Sequence, residues 1–148
     1  MPGVNEWKYN PPKIKFKHHT IQTYSFGNGK KKVIALPTFP HSGLIYANLY
    51  KYNHHRDLEI ITFDLPGWVG NSDNIFSNKI FSFDECVEVC KAIIRHYKID
   101  RVSIIGFSFG TALETLLAYK IRDKLDKLVF VSPFVDFELG FDDYNLPS

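Results

Sequence analysis

Gly106-Phe-Ser108-Phe-Gly110 places one serine between two glycines, at the end of the apolar run Val102-Ser-Ile-Ile105 and the start of a helix-like stretch. A strand that reverses into a helix within so few residues crowds its apex, and only glycine lacks the Cβ that would clash there. In such a turn Ser108 would lift its Oγ above the carboxyl edge of a sheet. The next backbone N–H, that of Phe109, would point at the same spot. One turn would supply both a nucleophile and a donor to an oxyanion. The same five residues also make an ordinary tight corner, and the pattern alone does not choose between the two.

A serine hydroxyl is a weak nucleophile until a base within hydrogen-bond reach takes its proton. Of the six histidines, His18, His19, His54, His55 and His96 fall on turns or helix ends away from the carboxyl edge. His41 differs, because its loop leaves the strand expected beside the Ser108 strand. It is a candidate base, with lining of the cleft entrance as the plainer role. Asp64 and Asp73 lie in a loop rich in turn residues, where Asp ordinarily bonds to nearby backbone, so structural roles are expected for both. Trp68 suits either a pocket wall or a loop anchor. No His, Cys or carboxylate spacing has metal-site form, Gly27-Asn-Gly29 lacks a phosphate-cradling pattern, and no cofactor is expected.

The elements that must position these residues fit in a chain of 148 residues, enough for one domain with a substantial core. A hydrophobic fraction of 45% with 13 Phe and 8 Tyr argues against disorder. A formal charge of +2 predicts no nucleic-acid partner, and the lysines at 13, 15, 17 and 30–32 read as solvated strand surface. The apolar runs are too short for a membrane span and the N-terminus lacks a signal-peptide layout, so a cytoplasmic location is expected. Cys86 and Cys90, spaced i, i+4 on a predicted helix, read as core.

Three regions follow from composition: a polar lead-in over 1–12, a core over 13–133 and an acidic tail over 134–148 that carries Asp136, Glu138, Asp142 and Asp143. Alternation predicts strands over 13–17 and 20–25, a continuous apolar run predicts a strand buried on both faces over 32–36, and further strands are expected over 58–63, over 102–105 and, buried again, over 127–132. Helices are expected over 44–52, from a Ser82/Glu85 capping box to Lys98, and over 109–120. The strand–helix alternation from residue 32 onward implies a three-layer α/β/α sandwich around a mostly parallel sheet.

Three ordered segments resemble the α/β-hydrolase superfamily of serine hydrolases. They are the nucleophile elbow Gly106–Gly110, the loop Asp64-Leu-Pro-Gly67 continuing to Gly70-Asn-Ser-Asp73, and Leu36-Pro-Thr-Phe-Pro-His-Ser-Gly43 at the place of the family's oxyanion loop. The second is one residue longer than the usual spacing. In the third, Pro37 and Thr38 replace the usual His and Gly, and His41 stands for the following Gly.

The resemblance implies Ser108 as nucleophile, Phe39 and Phe109 amides as the oxyanion hole, and Gly106 and Gly110 as elbow glycines. It spans about Lys13 to Ser132, the family's first six strands of eight. The loops that carry the usual acid and catalytic His have no counterpart, and Asp136 stands where some members place their acid. The implied reaction is hydrolysis of an ester or related acyl bond, with a small apolar acyl or aryl substrate suggested by Phe39, Phe107 and Phe109. The nucleophilic Ser argues against dehalogenase or epoxide hydrolase chemistry. Two further readings stand beside this one: a non-catalytic binding module for an apolar ligand or partner, and one part of a split hydrolase. Ending at strand six would expose a sheet edge, so a homodimer or a C-terminal complementing chain is expected.

Overall fold

The computed structural model describes residues 11–52, 57–68, 71–76 and 81–133. Lys13–Phe16 (β1) alternates exposed lysine with buried Ile14 and Phe16, and pairs antiparallel with His19–Phe26 (β2). His19 belongs to this strand, so the turn expected at His18-His19 falls instead at Lys17-His18. Two strands with apolar, buried carboxyl halves, Lys31–Leu36 (β3) and Leu58–Phe63 (β4), run parallel to each other, and β2 joins the far side of β4 antiparallel. Val102–Phe107 (β5) lies parallel to β3, and Leu125–Val131 (β6) parallel to β5. The sheet order is β1-β2-β4-β3-β5-β6. The mostly parallel α/β sheet expected from the strand–helix alternation is what forms.

The winding reverses at the β3–β5 pair. From β3 the chain moves to β4 on one side, and from β5 to β6 on the other. The carboxyl ends of two such strands diverge into loops that leave a crevice between them, the usual place for a ligand in an open α/β sheet.

Helices cover the sheet unequally. Phe83–His96 (α2) starts on Ser82, whose Oγ accepts from the Glu85 N–H at 3.4 Å, with Asp84 and Glu85 in its first turn and Arg95 and His96 in its last. These charges complement the helix dipole. The helix presses Cys86, Val87, Val89, Cys90, Ile93 and Ile94 onto the sheet face made by Ile21, Ile34, Leu36, Ile61, Phe63, Val102 and Ile104. Each fully buried Val or Ile there contributes on the order of 1.5–3 kcal/mol. Gly110–Lys120 (α3) shares that face through Leu113 and Leu117.

The opposite face holds a smaller cluster of Tyr24, Phe26, Ala35, Tyr46 and Ile60. Its cover is shorter than the helix expected over 44–52: a 3₁₀ turn at Gly43–Tyr46, capped by Ser42, followed by one α-helical turn at Ala47–Lys51 (α1). Gly43 explains the tight start. A Cβ there would stand 2.7 Å from the Phe63 carbonyl oxygen, so the chain hugs β4 before it can coil. His54 and His55, expected to close this helix, lie outside the described residues, as do the acidic tail and residues 1–10 of the lead-in.

The sixth strand combines a buried-type sequence with the edge position expected of it. β6 reads as buried on both faces, yet Asp126, Lys127, Val129, Phe130 and Val131 are exposed. Among the described residues it has β5 as its one neighbour in the sheet, and α3 packs on its inner side. Its apolar sequence suits a central strand, but it stands at the edge.

Cys86 and Cys90 are free and buried, and burial pushes both thiols far above their ordinary range. With Ellman's reagent at pH 8 neither thiol of the folded chain is expected to react, and both react in denaturant. Rapid labelling of the native chain would contradict the placement of α2.

Candidate active site

β5 runs two residues further than its apolar run suggests, to Phe107, and α3 begins at Gly110, leaving a two-residue connection. The strained backbone falls on the serine itself. Ser108 has φ +49°, in the left-handed region, which costs a non-glycine residue on the order of 1–2 kcal/mol. Three bonds hold it there: its N–H donates to the Val131 carbonyl at 3.0 Å, and its carbonyl accepts from the Thr111 N–H at 2.9 Å and the Thr111 Oγ1 at 2.6 Å.

The two glycines serve close approach. At Gly106 a Cβ would stand 2.5 Å from Glu114 Oε2 and 2.9 Å from the Gly110 carbonyl oxygen. At Gly110 it would stand 2.9 Å from the Leu36 carbonyl oxygen. The turn is therefore wedged against the end of β3.

From that end leaves the loop 37–43. Thr38 is buried, and its carbonyl accepts from the His41 N–H at 2.8 Å, closing a turn over Phe39 and Pro40. Phe39 is 47% exposed, with its ring edge-on to Trp68 at 4.2 Å. Trp68 meets Phe81 at 5.9 Å, and Phe81 meets Phe109 at 5.5 Å. Phe83 stacks on Phe109 at 5.3 Å. An aromatic wall thus joins the loop after β3 to the residue after Ser108. Phe107 is exposed and takes no part in these ring contacts. Among the described residues, neither the Phe39 nor the Phe109 N–H makes a hydrogen bond. His41 is exposed, and no hydrogen bond reaches the Ser108 Oγ from it or from any other described residue.

Asp64 holds this loop in place. Its carboxylate, wholly buried, accepts from Tyr24 Oη at 2.8 Å, Ser42 Oγ at 2.5 Å, the Gly43 N–H at 2.8 Å and Asn71 Nδ2 at 2.8 Å. Its own carbonyl accepts from Ser72 Oγ, which in turn accepts from the Gln22 N–H. Burial and the carboxylate push the Tyr24 hydroxyl up to about 12, so it remains a donor. Asp73 makes a lesser tie, accepting from the Thr20 N–H at 2.6 Å. Both carboxylates thus have the structural roles expected of them. Asn71 and Ser72 complete the loop after β4, while Val69 and Gly70 lie outside the described residues.

Glu114 is a group the sequence reading passed over. It is fully buried behind Gly106, its Oε1 accepts from the Val129 N–H at 3.1 Å, and burial pushes its carboxyl up to about 7. Its signal in the sequence was a single acid inside an otherwise apolar helix. Among the described residues no group of His, Cys, Asp and Glu could hold a metal ion, and no helix is long and apolar enough to cross a membrane.

A fold with this winding, this strand-turn-helix and these loops defines a class. The family described as alpha/beta hydrolase fold matches residues 31–148, and the chain belongs to it. No curated protein matches the sequence. Among solved structures it resembles Est816, described as an N-acyl homoserine lactone degrading enzyme, with TM-score 0.71 and 21% identity over 82% of this chain and 45% of that one. It also resembles a thioesterase domain from the curacin biosynthetic pathway, with TM-score 0.74 and 19% identity over 82% of this chain and 45% of that one. A third likeness is to a structure described with the carboxylesterases of Nitrososphaera gargenis, with TM-score 0.70 and 15% identity over the same shares, 82% and 45%. The chain spans less than half the length of these three relatives.

Replacing Asp64 with Ala removes the shared acceptor of four donors at once, three of them on buried or half-buried residues. Asp64→Ala is expected to lower unfolding stability in urea by about 3 kcal/mol or more, whereas Asp73→Ala costs less than about 1.5 kcal/mol. Equal losses would show that the Asp64 carboxylate is not the anchor of the loop.

Proposed function

We propose that this chain carries the nucleophile half of a serine hydrolase acting on an ester or related acyl bond. The observation that carries the reading is Ser108 itself: a left-handed serine at the carboxyl end of β5, beside the winding reversal, followed by an amide that donates to no acceptor among the described residues. In the reaction, Ser108 Oγ attacks the acyl carbon and gives its proton to a base. The carbonyl π pair moves onto oxygen, which the Phe39 and Phe109 N–H groups stabilise. Collapse expels the alcohol or thiol with a returned proton, and water then releases the acid by the same path. No cofactor enters these steps. Phe39, Trp68, Phe81 and Phe109 form an apolar wall suited to a small acyl or aryl group. The names of the three related structures, for lactone, thioester and carboxylester chemistry, point the same way, at identities where only the fold is shared.

His41 is the candidate base, on the loop beside Ser108, and its exposure leaves it free to turn. A second reading rests on a specific observation: no described group bonds to Ser108 Oγ. By that reading the chain binds an apolar ligand without turning it over, or reacts only once a complementing chain supplies a base. The exposed Val129, Phe130 and Val131 of β6 favour pairing with such a chain or with a second copy.

A fluorophosphonate probe separates these readings. Labelling of the isolated chain that is lost in Ser108→Ala supports the hydrolase, and a drop of about tenfold or more in His41→Ala assigns the base. No labelling under any condition favours the binding module. Labelling that appears only with an added C-terminal hydrolase fragment favours complementation.

A further inference from the structure

Glu114 does something that its helix does not require. It is the single acid of α3, fully buried, and reaches across to the two strands that frame Ser108. Its Oε1 accepts from the Val129 N–H on β6 at 3.1 Å, and its Oε2 lies against Gly106 of β5, 2.5 Å from where a Cβ there would stand. Two residues further along each strand, the Ser108 N–H donates to the Val131 carbonyl at 3.0 Å. The carboxyl therefore ties β5 to β6 just before the bond that holds the serine. Beyond its ladder with β5, β6 is exposed along most of its length.

The second carboxyl oxygen is the unusual atom. Oε2 is buried and has no hydrogen-bond partner among the described residues. It shares the hollow over Gly106 with the Gly110 carbonyl oxygen, the two lying 2.5 and 2.9 Å from the point where a Cβ would stand. A proton on Oε2 suits a neighbouring carbonyl oxygen, and a negative charge there does not.

We propose that Glu114 is a positioning residue for Ser108, a proton-operated clasp that holds β6 against the Ser108 turn when its carboxyl is neutral and releases it when ionised. The catalytic consequence rests on Ser108 being the nucleophile, and the clasp itself does not.

The surroundings leave the proton on Glu114 itself. Across Gly106, the Tyr46 hydroxyl donates to the Leu36 carbonyl at 2.7 Å, and burial together with the Glu114 charge raises it, so it stays protonated. On β3, Lys31 pairs with Asp57 and Lys32 with Glu59. At the outer ends of β5 and β6, Arg101 pairs with Asp126, and Lys127 is exposed. α2 contributes the buried thiols Cys86 and Cys90, the Glu88–Lys91 pair and the charges Asp84, Glu85, Arg95 and His96 near its ends. Lys120, at the end of α3, is exposed. None of these makes a hydrogen bond or ion pair to Glu114 among the described residues. Burial pushes the carboxyl to about 7, against the Val129 and Gly106 amides, which favour the anion. A carboxyl raised in the fold adds stability below its ordinary range and loses it as pH rises through about 7.

The test is amide hydrogen exchange on the whole chain at pH 6 and 8, corrected for the intrinsic pH dependence of exchange. In the wild type, protection of the Val129 and Ser108 amides is expected to fall about tenfold between the two pH values. Glu114→Gln, which keeps the acceptor and cannot ionise, is expected to hold protection level, and Glu114→Leu to lose it at both. Should the Leu variant unfold, the Gln comparison still decides. Protection that is flat with pH in the wild type, or an equal fall in Glu114→Gln, overturns the clasp. Fluorophosphonate labelling run in parallel keeps the two ideas apart. No labelling with the exchange pattern intact removes the nucleophile and leaves the clasp, and labelling with flat exchange does the reverse.

Discussion

A buried carboxylate must be answered by donors, and the answer that Asp64 receives organises one wall of the candidate site. Its four donors come from β2, from both the side chain and backbone of the loop after β3, and from the loop after β4. Removing such a charge from water costs several kcal/mol, so the arrangement holds only while all of these segments are in place. That demand fixes where the chain leaves β3, and so where Phe39 and His41 can stand. The same bonds exclude Asp64 from any role as an exposed acid beside Ser108. What resembles a pair of catalytic carboxylates in sequence is, in space, a joint between loops.

The fold was legible because its signals are local and agree with one another. Lys13–Phe16 alternates, β3 carries the apolar run Val33–Leu36, β4 is rich in apolar and β-branched residues, and Ser82 with Glu85 announces a helix whose inner face carries the core. Where the reading failed, the missing information was not local. The short coil after Gly43 depends on how closely β4 lies behind it. Glu114 was missed because an acid in a helix is ordinarily solvent-facing, and nothing in the neighbouring residues says that this one points at Gly106.

The candidate site divides in the same way. Ser108 and its two glycines could be named from spacing, since the crowding of a strand-to-helix reversal is a property of those few residues. The origin of the crowding could not. Gly110 is small because the end of β3 lies against it, and Gly106 because a buried carboxyl does. Sequence pattern therefore located the turn, while the two contacts that explain it come from an element more than sixty residues away in one case and from a side chain eight residues further along in the other.

These contacts place the serine between supports of different strength. On one side, β3 is paired on both edges, and its outgoing loop is tied down through Asp64. On the other, the Ser108 amide depends on Val131, the last residue of an exposed edge strand. A left-handed serine stores strain that the surroundings must resist, and resistance is weakest where a strand has a single neighbour. Whatever stiffens β6, whether the Glu114 carboxyl from within or a paired strand from outside, therefore acts on the same backbone bond. The state of the sheet edge and the geometry of Ser108 are one mechanical problem.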